Sequence, residues 1–225
     1  MWCIPPKQNA EFVARMEDVL EVYARPYDEE YPVVCMDEKP FQLLDERYEP
    51  IPMSCKNHKE KYDCEYERKG SCSIFMFTEP LAGWRHAMAL PQRTCADWAE
   101  RVKWLLDEKY PNVKKIVLVM DNLNTHSISS LYKTFSPEEA FRLSQRLEIH
   151  YTPKHGSWLD IAELELSALT LQCLGARRIS SIDLLNEELA AWYSNRNASQ
   201  KGVDWQFTSD DARIKLKHLY PIVKL

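Results

Sequence analysis

Three acidic residues are set apart by what precedes or surrounds them. Asp37 follows Pro32-Val33-Val34-Cys35-Met36, and Asp121 follows Lys115-Ile116-Val117-Leu118-Val119-Met120. Short apolar runs with β-branched members read as buried strands, so each acid stands where a strand leaves the interior. A carboxylate there is partly stripped of water and is costly unless paired or bound to a cation. If the two strands are neighbours, their ends lie about 5 Å apart. Two carboxylates converging at that distance repel, and a divalent cation resolves the repulsion. The third acid is Glu163. Leu159, Ala162, Leu166 and Leu169 form one helical face, and Glu163 sits one turn from Leu159 on its edge. Glu165 is about 200° further round the same helix and points elsewhere. Asp160, a turn before Glu163, is placed to support or join the group. Taken singly, a strand-end acid is as readily a turn residue or a helix cap; the set of three is what suggests a metal site.

Two constellations accompany the acids. Asn122 and His126 follow Asp121 closely, offering an amide and an imidazole that either cap the next helix or orient a metal, water or phosphate oxygen. Lys154 and His155 stand beside Gly156 where a helix begins, an arrangement suited to a phosphate and equally compatible with a plain loop. A zinc role for Cys55, His58, Cys64 and Cys72 has one metal-like spacing, Cys55-x-x-His58, but irregular distances elsewhere and no CxxC.

The elements that must position these residues follow from periodicity. Residues 7–25 carry apolar side chains at a 3.6 period and read as an amphipathic helix. Tyr31–Met36 is predicted as a strand ending at Asp37, and Phe41–Gly70 as polar, irregular chain crossing the surface. Ser71–Thr78 and Trp84–Leu90 read as an antiparallel pair around a longer loop. Thr94–Tyr110 is a helix with Thr94 as N-cap and Pro111 beyond its end, and Lys114–Met120 a second strand. Ser136-Pro137-Glu138-Glu139 opens a short helix. Leu147–Thr152 is a strand, while Trp158–Leu174, Ser180–Ser194 and Asp210–Leu219 are helices. This alternation predicts an α/β domain, a mixed central sheet with helices on both faces. Chemistry in such sheets gathers at the carboxyl ends of the strands.

Composition removes other classes. The five glycines, at 70, 83, 156, 175 and 202, cannot be written as GxGxxG or GxxxxGK[ST], so glycine-loop dinucleotide and P-loop nucleotide sites are excluded. Twenty-nine Lys and Arg against 34 Asp and Glu give a net charge of −5. That is the wrong sign for general phosphate attraction, so a nucleic-acid surface must be local. With 45% hydrophobic residues the chain has a globular composition, and no stretch approaches the roughly 20 apolar residues of a bilayer span. Seven scattered cysteines, an odd number, predict reduced thiols and a cytoplasmic setting.

The blocks Met36-Asp-Glu-Lys-Pro40, Val119-Met-Asp-Asn-Leu-Asn-Thr-His126 and Thr152-Pro-Lys-His-Gly-Ser-Trp-Leu-Asp-Ile-Ala-Glu-Leu-Glu-Leu-Ser167 resemble, in order, the three signature blocks of DDE transposases. The resemblance is to the bacterial insertion-sequence branch of the Tc/mariner superfamily. It covers nearly the whole chain and implies a ribonuclease H-like fold over residues 1–225, with an N-terminal helix 7–25 and a C-terminal helical segment 180–225. It implies Asp37, Asp121 and Glu163 as a catalytic triad binding two Mg²⁺ or Mn²⁺ ions, with Asn122, His126 and Asp160 in support. Lys39, Lys154, His155, Arg177 and Arg178 would contact DNA. The partners implied are double-stranded transposon ends and target DNA, with a homodimer holding both ends, although no dimer seam is evident. The setting implied is bacterial cytoplasm, at the nucleoid when DNA is bound, with no membrane association. The triad spacings are 84 and 42 residues, and segment 134–146 would account for the long second one as an inserted helix. Two departures stand out: Asp160 replaces the family's usual asparagine, and the helix-turn-helix modules that begin family members have no counterpart, so the catalytic half alone is expected. A stand-alone nuclease of the same fold and an inactive transposon-derived binding domain are the competing readings.

Overall fold

The computed structural model describes residues 7–49, 51, 53, 63–175, 177–199 and 201–222. In chain order the elements are α1 (Ala10–Tyr23), β1 (Val33–Glu46), β2 (Tyr66–Glu79), β3 (Trp84–Leu90), α2 (Cys95–Trp104), β4 (Ile116–Met120), α3 (Ile128–Thr134), α4 (Pro137–Gln145), β5 (Leu147–Tyr151), α5 (Ile161–Leu169), α6 (Ile182–Ala198) and α7 (Ser209–Lys215). The strands form one mixed sheet in the order β3-β2-β1-β4-β5. The first three are antiparallel, and β4 and β5 run parallel to β1.

Strand alternation divides the interior into two cores. Val34, Met36, Phe75, Phe77, Leu118 and Met120 turn to one face, where α2, α3 and α4 cover them through Trp98, Val102, Leu131 and Leu143. Cys35, Ile74, Met76, Val117 and Val119 turn to the other, against α1, α5 and α6. Each fully buried aliphatic or aromatic side chain contributes about 1.5–3 kcal/mol, so the sheet is fixed from both sides. The expected mixed sheet with helices on both faces is found.

Helix ends follow their local chemistry. Asn9 accepts the Phe12 N–H and starts α1, and Thr94 with Asp97 makes a reciprocal capping box for α2. The predicted helix 94–110 is α2 extended by a π-helical turn over Leu105–Lys109. The predicted helix Trp158–Leu174 is broken into a 3₁₀ turn over Ser157–Leu159, then α5, then a π turn over Thr170–Leu174. The break is local: Asp160 is extended and takes the N-cap position of α5. Segment 134–146 does contain a helix, α4, with Ser136 as its cap.

Two strand expectations need correction. β1 does not end at Asp37 but continues to Glu46, and β2 begins at Tyr66. Both parts of Phe41–Gly70 expected to be irregular thus pair as a long antiparallel arm, Phe41 with Cys72 through Glu46 with Tyr66, interrupted by a bulge between Leu43 and Leu44. Pro40 and the charges of Asp45 and Glu46 hide the strand from periodicity. Beyond Met36, β1 has lost β4 as a neighbour, and a strand with a free edge tolerates proline.

Candidate active site

The parallel ladder between β1 and β4 pairs Cys35 with Val119 and Met36 with Met120. One step further, Asp37 stands against Asp121, on neighbouring strands about 5 Å apart. Asp37 lies two residues after Cys35 on β1, so alternation turns it to the α5-facing core; Asp121 stands just past the end of β4, with its Oδ1 on His126. α5 packs there through Ile161, Ala162, Leu166 and Leu169, and Glu163 is half-buried in its first turn. The three candidate acids therefore come from β1, from the residue just past β4, and from the helix laid over the sheet.

The electrostatics agree. Asp37 is pushed up to about 7, first by burial and then by the negative charges of Asp121, Glu163 and Glu38, against the pull of the Glu38 N–H on its Oδ1 at 2.7 Å. Asp160 is 2% exposed and its carboxyl is raised well above the usual range, by burial first and then by Asp37. Its Oδ1 accepts the Ala162 N–H at 2.8 Å, whereas Oδ2 is buried without a hydrogen-bond partner. Among the described residues, no three His, Cys, Asp or Glu side chains are already grouped as an ion-binding shell. The donor set nonetheless suits a hard divalent cation: the side-chain donors are carboxylate oxygens, with one buried oxygen of Asp160 still unpartnered.

His126 is more firmly placed than its sequence position promised. Its imidazole is fully buried, with Nδ1 2.6 Å from Asp121 Oδ1 and Nε2 3.0 Å from Glu38 Oε1. Burial alone would lower its pKa; the bonds to Asp121 and Glu38 outweigh it and raise the ring to about 9. The imidazolium can donate from both nitrogens, which holds Asp121 in one orientation. Glu38, not singled out from the sequence, sits on the opposite sheet face from Asp37 and anchors this bridge. The signal was present in the Asp37-Glu38 pair, but only the continuation of β1 sends the two acids to opposite faces.

The remaining candidates divide sharply. Lys39 donates to Thr170 Oγ1 at 2.6 Å, Arg177 pairs with Glu188, and Arg178 binds Glu46 and the carbonyls of Glu65 and Asp63. These three bases tie the chain together. Lys154 and His155 are exposed and line a cleft of about 540 Å³ that also contains Asp121 and Asn122. His155 holds φ at 66°, the left-handed region, at a cost of about 1–2 kcal/mol for an L-residue. Gly156 is required beside it, because a Cβ there would lie 2.5 Å from Pro153 Cγ. Glu165 turns away from the triad, as expected from its helical angle, into a buried ion pair with Arg85 at 3.1 Å and a second with Arg196. Cys55 and His58 of the zinc alternative lie outside the described residues; Cys64 and Cys72 are free thiols, as are Cys35, Cys95 and Cys173.

Among the described residues, no helix is long and apolar enough to cross a membrane. No curated protein matches the chain. Among solved structures, it is similar to the catalytic domain of Mos1 mariner transposase, with a TM-score of 0.55 at 13% identity over 85% of each chain. It is also similar to the transposase in a Mos1 paired-end complex with Mn (TM-score 0.55, 13% identity, 85% of this chain) and in the Mos1 strand transfer complex (0.57, 12%, 88%). The chain spans 57% and 58% of the length of the transposase chains in those complexes. At such identity the likeness is one of fold, and the fold is the ribonuclease H-like one that the signature blocks implied. The family profile described as DDE superfamily endonuclease matches residues 32–186. That span is more than half of the sequence and contains all three acids: the chain belongs to the DDE superfamily of endonucleases.

Proposed function

We propose that this chain is the catalytic domain of a transposase, which cleaves DNA at the ends of a mobile element and joins the freed 3′-OH to target DNA. The observation that supports the reading is electrostatic: at one end of the sheet burial pushes Asp37 up to about 7, and the nearby charges of Asp121 and Glu163 add to that rise. These residues would hold two Mg²⁺ or Mn²⁺ ions, with Asp160 near enough to feel the charge of all three. When bound, the ions lower the pKa of the attacking water or 3′-OH and neutralise the departing oxygen.

The protein's own part is orientation. His126 fixes Asp121, and Asp160 caps α5 so that Glu163 is presented in its first turn. Lys154 and His155 stand beside Asp121 for the DNA backbone. No side-chain nucleophile is required, so one site serves both hydrolysis and joining. The Mos1 relatives are paired-end and strand transfer complexes; by analogy the partners here are element-end and target DNA, held by a dimer.

The test is Mn²⁺-dependent nicking of supercoiled plasmid, followed by joining of pre-cut ends. Asp37→Asn, Asp121→Asn and Glu163→Gln should each reduce nicking to background while the circular dichroism spectrum stays native. Full nicking by any one variant removes that residue from the triad. Nicking without joining would make the protein a nuclease only.

A further inference from the structure

The cleft beside Asp121 is bounded on its far side by α1, a helix the signature blocks do not include. Arg15 and Glu11 of α1 line it together with Lys154, His155, Leu123 and Asp121. A smaller cavity of about 260 Å³ continues it along Arg15, Phe12 and Asn9 past Lys154 and His155. Arg15 therefore faces the two exposed bases of the loop after β5 across one continuous depression that opens at a triad acid.

We infer that this depression is a strand-binding groove in which Arg15, Lys154 and His155 hold consecutive backbone phosphates of DNA leading away from Asp121. The inference rests on the transposase reading of the triad and adds to it a path and a residue, Arg15. Three observations support it. Lys154 and His155 make no hydrogen bond or ion pair with the described residues, unlike Lys39, Arg177 and Arg178. The loop carrying them is preset, with His155 in the left-handed region and Gly156 N–H bonded to the Pro153 carbonyl at 2.8 Å; non-glycine strain of this kind concentrates at ligand-holding sites. Among the described residues, Arg15 makes one ion pair, with Glu11 one helical turn away at 3.3 Å, whose side chain is 79% exposed. Such a surface pair is weak and yields readily to a phosphate, to which a guanidinium can bond in bidentate fashion. Leu123, 39% exposed on the same wall, offers apolar surface to a sugar or base. In a chain of net charge −5, phosphate attraction must be local, and here Arg15 and Lys154 supply it against the acids Glu11 and Asp121 of the same lining.

The pair also sets a sign that a structural role would not. Glu11 repels a phosphate and occupies Arg15, so its removal should tighten DNA binding while loss of Arg15 weakens it. The experiment is fluorescence anisotropy of the whole chain with a short labelled duplex and with its single strand, without divalent metal, across a salt series. For Arg15→Ala and Lys154→Ala the slope of log affinity against log salt should fall by about 0.9 on duplex or about 0.7 on single strand for each phosphate no longer neutralised. Glu11→Ala should bind more tightly than wild type, and Lys115→Ala, an exposed base at the opposite end of β4, should match wild type. Thermal melting checks that each variant is folded, and Arg15→Lys should retain most of the slope. If wild type binds and nicks DNA but Arg15→Ala keeps its full salt slope, the groove is wrong and the transposase reading stands. A folded wild type that neither binds nor nicks DNA overturns both.

Discussion

At the residue scale, the site is organised by neighbours that decide which way a carboxylate points. Asp121 is reached from a solvent-facing cleft, yet its Oδ1 is tied to a fully buried imidazole that is itself tied to Glu38. Removing that ring leaves two acids without their common donor. His126→Ala should therefore cost about 10–100-fold in Mn²⁺ affinity or nicking rate, the usual effect of losing a group that orients a metal ligand, read by calorimetric titration; unchanged affinity would show that Asp121 needs no bracing. Asp37 and Asp121 stand out in the sequence as candidates because each ends an apolar run, and Glu163 because it sits on the edge of a helical face. Glu38 was not, because an acid following a strand-end acid looks solvated until the strand is seen to continue. Arg177 and Arg178 looked like DNA contacts for the opposite reason: their partners, Glu188, Glu46 and two carbonyls, lie too far along the chain for local pattern to pair them.

At the element scale, α5 carries two glutamates with separate duties. Glu163 faces the triad, whereas Glu165 is 4% exposed and compensates Arg85, itself 1% exposed on β3. Breaking a buried pair from one side leaves a charge without compensation and costs about 3–5 kcal/mol. Glu165→Gln should lower stability by about that amount in denaturant unfolding, and Glu163→Gln by little; equal stabilities would mean the pair does not hold α5 to the sheet. The opposite sheet face is joined by a surface network in which Lys103 and Arg142 hold Glu139 of α4. Their hydrogen bonds depress Glu139 from 4.5 to about 2. A depressed acid stabilises the fold above its unfolded pKa and loses that contribution as pH falls through its folded one. The protection of α4 amides against hydrogen exchange, relative to their intrinsic rates, should thus fall between pH about 4.5 and 2, and Glu139→Gln should remove that part of the acid response. Caps such as Thr94 and Ser136 made these helices readable. The arm formed by Phe41–Glu46 and Tyr66–Gly70 was not, because proline, a bulge and charged residues mask a strand whose partner is distant in sequence.

At the scale of the whole molecule, the order of elements sufficed for a mixed sheet covered on both faces, but not for which strands touch. The neighbouring of β1 and β4 is what brings the two candidate acids Asp37 and Asp121 near each other, and it is set by the packing of the two cores rather than by any local signal. Under the proposed function, that adjacency gathers part of the chain's negative charge where cations would bind, with the exposed Lys154 beside it. The central claim is that Asp37, Asp121 and Glu163 share divalent cations, and Mn²⁺ anomalous scattering from crystals of the protein tests it directly. Anomalous peaks within coordination distance of oxygens from all three residues are the expected result. Mn²⁺ held elsewhere, or no peak at that end of the sheet at saturating Mn²⁺, would contradict it.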